Sequence, residues 1–419
     1  MSEDWDAIVV GAGPNGLVAA ATLARHGWRV LVLEAKNRPG GALYSEELTL
    51  PGFLHDVGAA FFPFADDSPA FRYLDLNGTG LEWQNALFES CHPAPDGSCT
   101  AISRDVERSA RSFGSDGPAW RRLAQWQQAM GDRLAAALLA PLPAIGPAWR
   151  LRISHLARLA FYGLQTPVAW AERYFQTEAA RRIIPALALH VDLGPNDLTG
   201  AGLGLVLALL AAGPGFRVPV GGARAITQAL IRRLEEHGGT TQLNTRVNEI
   251  LVRRHQVVGV RTSQGDEIPV RHAVLADVGA PALFLKLLDQ RWTTGWLQRS
   301  MRRFRYGWGT FKMDWALAGP VPWFAPEARE SAVVHAGDSL TDLIGFTQEV
   351  RAGRLPTNPY LVIGQQSLVD PSRAAPSPLG GEGTGVRRPG AQTLWAYSHV
   401  PSRIEGGWDQ HREPFADRI

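Results

Sequence analysis

The chain has 419 residues, 45% of them hydrophobic and 20% charged, with 42 Lys and Arg against 40 Asp and Glu for a net charge of +2. That length suits two packed domains or one large α/β unit, the composition excludes a disordered chain, and the balanced charge removes any global electrostatic case for nucleic acid. Two cysteines, Cys91 and Cys99, are too few for a disulfide framework or a four-Cys zinc site, so the expectation is no metal and a reducing, cytoplasmic setting.

The acidic N-terminus leads straight into Asp6–Val10, a short apolar run with β-branched residues and no leader-like stretch before it. Gly11-Ala-Gly-Pro-Asn-Gly16 follows, then a helix-like stretch from Leu17 to Arg25 stopped by His26-Gly27, then a second apolar run, Arg29–Leu33, closed by Glu34. This pattern predicts a βαβ unit. Gly11 permits the tight turn, Gly13 lets a pyrophosphate approach the backbone, and Gly16 lets the helix pack close to the strand. The helix N-terminus adds free N–H groups and the positive end of its dipole. Glu34 lies 23 positions after Gly11, where a carboxylate accepts both ribose hydroxyls of an adenosine and repels a 2′-phosphate. Beyond it, Arg38 can offset phosphate charge, and Gly40-Gly41 allow the second close backbone approach that a cofactor longer than NAD needs. FAD is therefore the expected cofactor. A single-unit NAD dehydrogenase would leave the glycine pair unexplained.

Residues 46–103 read as loop-rich with short strands, with Pro95-Asp96-Gly97 as a turn between two of them. Cys91 and Cys99 flank that turn and are read as strand packing in preference to a redox pair. Helical spacing dominates from Asp105 to about Leu193, broken at Pro141, Pro143, Pro147 and Pro167. Within it, Trp149–Phe161 mixes apolar positions with Arg150, Arg152 and Arg158. We read it as a surface helix with a core face, with an interfacial helix at a membrane as the second reading. The apolar run Leu198–Gly213 is interrupted by glycines and falls short of the ~20 residues a spanning helix needs. The expectation is a soluble protein, at most peripheral to a membrane.

Gly221-Gly222 leads into a predicted helix over 223–237, then strands near 240–243, 246–253, 256–262 and 273–276. Strand-like alternation returns over 304–317 around Lys312 and Asp314, and again at 360–364 and 393–397. Between the last two, the Pro/Gly/Ser-rich stretch 371–391 reads as a disordered insertion. Asp409–Ile419 reads as the opening of a helix. The sequence lacks G-x-S-x-G, H-E-x-x-H and P-loop signatures, and no side-chain acid or base is assigned. His55, His190, His335 and His399 are candidates by residue type alone and are read as structural or surface histidines.

Val9–Ala42 closely resembles the FAD-binding N-terminus of the phytoene desaturase-like flavoproteins. Its Gly-Pro-Asn-Gly-Leu variant is most similar to the branch containing pyridine nucleotide-disulfide oxidoreductase domain-containing protein 2. Leu50–Phe53 with Asp56–Ala59, Val218–Gly222, Ala276-Asp277, Arg305–Asp314 and Val321–Trp323 also resemble segments of that family. The resemblance implies FAD held by Gly11, Gly13, Pro14, Asn15, Gly16, Glu34, Ala35, Arg38, Gly40, Gly41 and Ala42, with the backbone of Val247 meeting the adenine. It implies an oxidoreductase of desaturase, dehydrogenase or saturase type, moving hydride between the flavin and an apolar, isoprenoid-like small molecule.

Family members continue into a Gly-rich turn that meets the flavin and opens a last helix. Nothing here matches it, so 401–419 is read as the start of a truncated C-terminal helix. That keeps a second reading open, a non-catalytic dinucleotide-binding or regulatory protein. The expected architecture is α/β: a discontinuous Rossmann-like FAD/NAD(P)-binding domain from 1–65 and 215–285, and a mixed α+β substrate domain from 66–214 and 286–400. The active site is expected in the crevice between them.

Overall fold

The computed structural model describes residues 5–65, 67–374 and 390–419. Strand Trp5–Val10 (β1) enters helix Pro14–Arg25 (α1) and leaves through Val30–Leu33 (β2). The helix opens three residues earlier than the apolar pattern suggests. Pro14 lacks only an N–H that has no helical partner in the first turn, and its fixed φ suits a helix start. α1 buries Gly16, Leu17, Ala20, Ala21 and Ala24, a mostly small-residue stripe that lets it lie close on the sheet. The other strands of the two six-stranded sheets are Ser90–Pro93 (β3), Cys99–Ile102 (β4), Thr240–Gln242 (β5), Val247–Arg253 (β6), Gln256–Thr262 (β7), Glu267–Ala276 (β8), Gly309–Leu317 (β9), Val333–Ala336 (β10), Leu361–Gly364 (β11) and Gln392–Val400 (β12). Four more helices matter below: Ile145–Arg150 (α2), Ile153–Gly163 (α3), Gly200–Ala212 (α4) and Arg224–Glu236 (α5).

The first sheet has the order β6-β7-β8-β1-β2-β5. Its pairs from β8 through β5 are parallel, while β6, β7 and β8 form an antiparallel meander. β2 reads Val-Leu-Val-Leu because both of its faces are covered, as parallel strands require. On one face Val9 and Val32 meet Leu17 of α1 and Ile226 and Leu230 of α5; on the other Ile8 and Leu31 meet Ile250 and Val260 of the meander. The second sheet has the order β9-β12-β11-β10-β3-β4 and is antiparallel except where β10 runs parallel to β3. Helices from the middle of the chain cover it, with Trp120, Trp170 and Leu205 packed in one core with Val333, Val362 and Trp395 of the sheet. The architecture is thus α/β, a Rossmann-like parallel sheet beside a mixed α+β layer.

The expected turn at Pro95–Gly97 joins β3 to β4, with the Cys91 and Cys99 sulfurs 3.0 Å apart. Composition misplaced the start of the insertion. Pro371–Arg373 form a 3₁₀ turn, and Arg373 is 1% exposed. Residues 375–389 lie outside the described residues. A guanidinium tolerates that depth because it is neutralised in place: Nη1 lies 2.6 Å from Asp56 Oδ2, Nε lies 3.0 Å from Asp370 Oδ2, and Nη2 donates to the Pro219 carbonyl at 3.0 Å. The last helix, Trp408–Ala416, buries Phe415 against Phe311 of β9.

Candidate functional site

β1 ends at Val10, and the chain turns through Gly11 at φ +103°, a conformation that side chains rarely adopt. A Cβ on Gly16 would stand 2.4 Å from the Gly11 carbonyl oxygen, so the third glycine sets how closely α1 approaches the turn. Glu34, just past β2, folds its carboxylate back to accept hydrogen bonds from the Ala12 and Lys36 amides, each at 2.9 Å. A second glycine turn closes on the first. Gly40 N donates to the Ala12 carbonyl at 2.8 Å, and a Cβ on Gly41 would lie 3.0 Å from the Gly13 Cα. One residue on, the Ala42 carbonyl accepts from Ala59 N at 2.9 Å, and Val57–Phe61 wall a cavity of about 650 Å³. The two glycine turns and the cavity therefore form one continuous path.

Fifteen aromatic, aliphatic and polar side chains from distant parts of the chain would be a poor guide by themselves, but the cavity has a clear division. Phe61, Leu207, Phe216, Val333, Val362 and Trp395 make its apolar wall. Lys312 of β9, His190, Tyr397 and His399 supply polar groups. Lys312 is hydrogen-bonded to Asp314, which also faces His55 Nδ1 at 3.4 Å; His55 Nε2 lies 2.8 Å from Thr49 Oγ1. Burial pulls the Lys312 ammonium below its ordinary value against the pull of Asp314. Burial works to raise the Asp314 carboxyl, but the neighbouring His55 ring and Lys312 prevail and hold it below the usual carboxylate range.

The family model for flavin-containing amine oxidoreductases matches residues 15–310, well over half of the chain. The chain belongs to that family. This flavin-dependent oxidoreductase is 23% identical to the neurosporene-forming phytoene desaturase of Cereibacter sphaeroides, over 99% of this chain and 77% of the relative. It is 27% identical to the zeta-carotene-forming phytoene desaturase of Myxococcus xanthus, over 88% of this chain and 69% of that protein. An oxidoreductase from Methanosarcina mazei has the same fold, with a TM-score of 0.62 at 15% identity, covering 99% of this chain and 82% of that one.

In the flavin oxidoreductase, Gly11, Gly13, Pro14, Asn15, Gly16, Glu34, Ala35, Gly40, Gly41 and Ala42 lie around the paired turns. Val247 comes to the same end: Thr245 N donates to the Glu34 carbonyl and Asn244 N to the Lys36 carbonyl, both at 2.8 Å. Arg38 stands apart, its guanidinium 3.5 Å over the Tyr44 ring and 4.0 Å from Glu46. The paired glycines make a cradle that side chains would fill, which fits a dinucleotide. The sequence reading missed Asp277, at the end of β8. Its Oδ2 accepts from Gly16 N at 2.8 Å, so a carboxylate holds the positive end of α1, where a phosphate would bind. The Ala276-Asp277 pair was legible as a turn after a strand, but not its reach to Gly16.

Proposed function

We propose that the protein is an FAD-dependent desaturase, dehydrogenase or saturase acting on an apolar, isoprenoid-like molecule. The observation that carries this reading is the unbroken path from Glu34 and the glycine turns, through Ala42 and Ala59, to a cavity with a large apolar wall. In this reading Glu34 binds the ribose, Gly11–Gly16 and Gly40–Ala42 cradle the pyrophosphate, and Val247 borders the adenine. Residues 1–65 and 215–285 form the cofactor domain, and 66–214 and 286–400 form the substrate domain. FAD, when bound, supplies the hydride acceptor or donor. The chain's own residues orient an apolar substrate, exclude water from it, and offer Lys312 and Tyr397 as polar groups at its flank. The test is the visible absorption spectrum after incubation with FAD, followed by phytoene in phospholipid vesicles as substrate. A protein that stays colourless overturns the cofactor assignment. Bound flavin without any bleaching by phytoene or another polyene favours a non-catalytic dinucleotide binder.

Asp277 gives this reading a sharper edge. A carboxylate at the head of α1 repels an incoming phosphate, while an amide keeps the hydrogen bond without the charge. Asp277→Asn should therefore bind FAD more tightly, by about tenfold for one relieved like-charge contact of ~1.4 kcal/mol. Fluorescence titration reads this directly. Weaker binding by the variant would mean that the carboxylate positions the turn.

Peripheral membrane contact belongs to the same reading. Between Asp132 and Glu172 the chain carries four arginines and no acidic residue. Leu142 (91% exposed), Trp149 (74%) and Ile153 (66%), on and beside α2 and α3, stand out into solvent. α3 packs on α4, whose Leu207 walls the cavity. A basic, apolar surface suits anionic lipid, which would hold lipid-soluble substrate near the cavity. No helix among the described residues is long and apolar enough to cross a membrane. Ile145, also exposed, belongs to this surface, and Ile145→Glu with Trp149→Glu should abolish co-sedimentation with phosphatidylglycerol vesicles and leave the thermal midpoint unchanged. Unchanged co-sedimentation would remove the membrane from the reading.

A further inference from the structure

We propose that Tyr397, His190, His335, Ser90 and His92 form a proton relay from the cavity to the β3–β4 hairpin, with Tyr397 as its acid–base group at the cavity wall. The proposal rests on the reading of the cavity as the place where C–H bonds are made or broken. The five groups stand in line. Tyr397 OH lies 3.0 Å from His190 Nδ1, His190 Nε2 lies 2.8 Å from His335 Nε2, His335 Nδ1 lies 3.1 Å from Ser90 Oγ, and Ser90 Oγ lies 2.9 Å from His92 Nε2. Tyr397 and His190 line the cavity, His335 and His92 are buried, and His92 sits near the end of β3, just before the exposed turn Pro95–Gly97.

The line admits two senses. In the outward sense Tyr397, His190 Nε2, His335 Nδ1 and Ser90 each donate toward His92. In the inward sense every hydrogen points back, and Tyr397 offers its own to the cavity. A proton arriving at the Tyr397 oxygen sends the phenolic hydrogen to His190 Nδ1, the His190 Nε2 hydrogen to His335 Nε2, the His335 Nδ1 hydrogen to Ser90, and the Ser90 hydrogen to His92 Nε2. To complete the passage, the Nδ1 hydrogen of His92, itself 2% exposed, has to reach solvent at the exposed turn Pro95–Gly97. One proton enters, one leaves, and no ring keeps a charge. The reverse passage supplies a proton to the cavity.

The surroundings favour neutral rings, the form that both accepts and donates. Burial pushes His92, His190 and His335 below the ordinary imidazole value, His190 to about 4. Arg182, whose guanidinium donates to the His92 carbonyl at 3.4 Å, opposes a cation at His92. The His92 and His190 rings oppose one at His335, and His399 opposes one at His190. Tyr360 stacks on His335 at 6.4 Å, and Asp192 faces both His399 and Tyr397, the latter raised above its usual value by burial and by that carboxylate. An aliphatic core would fill this space without the desolvation of three imidazoles.

The test uses the full chain labelled with nitrogen-15 in its histidine rings. Tyr397→Phe removes the group that accepts from or donates to His190 Nδ1, and so pins the line in its outward sense. The expected result is a shift of the ring nitrogens of His335 and His92, which residue 397 does not touch, toward a single protonated position. Adding Ser90→Ala should confine that response to His190 and His335. A Tyr397→Phe response limited to His190, in a protein of unchanged thermal midpoint, overturns the relay, as does a His92 response that survives Ser90→Ala. With FAD and phytoene vesicles, Tyr397→Phe should lower turnover about a hundredfold while the flavin spectrum is unchanged; unaltered turnover overturns the acid–base role. Absence of turnover in the wild type counts against the substrate class, and the nitrogen shifts still decide the relay.

Discussion

Arg373→Ala is expected to lower stability by about 3–5 kcal/mol, the usual loss when one partner of a buried ion pair is removed. Its guanidinium lies between Asp56 and Asp370, neither of them more than 2% exposed. Asp56 keeps hydrogen bonds from Ser45 Oγ at 2.6 Å and Ala223 N at 2.8 Å, and Asp370 keeps those from Gly221 N at 2.8 Å and from the amide and hydroxyl of Ser372. Those bonds do not cancel two negative charges left buried without their guanidinium. The clasp also joins three segments that sequence keeps far apart. Asp56 leads into the cavity loop, Pro219 and Gly221 precede α5, and the Arg373 carbonyl accepts from Leu54 N at 2.7 Å. Thermal and urea unfolding should both move strongly. Removing the charges together, with Asp56→Asn, Asp370→Asn and Arg373→Met, should recover a large part of the loss. If Arg373→Ala unfolds at the wild-type midpoint, the clasp is not what joins these segments.

Gly13→Val should leave the protein folded and strip it of flavin. Gly13 has an ordinary extended backbone (φ −71°), so a side chain causes no backbone strain there. A Cβ would meet the Asp277 carboxylate, its Oδ2 at 2.7 Å, a side-chain group that can swing aside at the cost of its hydrogen bond from Gly16 N. The valine would then occupy the space where a diphosphate approaches the backbone. The expected protein has a wild-type circular dichroism spectrum and no absorbance in the flavin region. Gly16→Val is the contrast: its Cβ would meet the Gly11 backbone oxygen at 2.4 Å, so the strand–helix turn itself should fail. A yellow Gly13→Val protein would contradict the proposed path of the cofactor.

Much of the fold is legible in the sequence. The alternation of β-branched runs, glycines and a small-residue helix in residues 6–34 is a local code, because each decision depends on neighbours a few positions away. The same holds for the turn at Pro95–Gly97 and for the strands between 240 and 276. The reading failed at Pro371–Ala374, where a Pro- and Ser-rich composition suggested disorder. Composition cannot register that Arg373 has an aspartate waiting 317 residues away. It also treated the histidines singly. Whether His190 and His335 are isolated or joined depends on a separation of 145 residues that only the strand order closes.

The sequence by itself determined the elements and the dinucleotide-type turn, since hydrophobic period, glycine spacing and the reach of one carboxylate act over about thirty residues. Only the tertiary structure decided what surrounds that turn: Asp277 at the head of α1, the cavity beyond Ala42, the Arg373 clasp and the imidazole line. Each of these rests on contacts between segments whose neighbours are chosen by sheet topology, and strand order is the outcome of packing the whole chain at once.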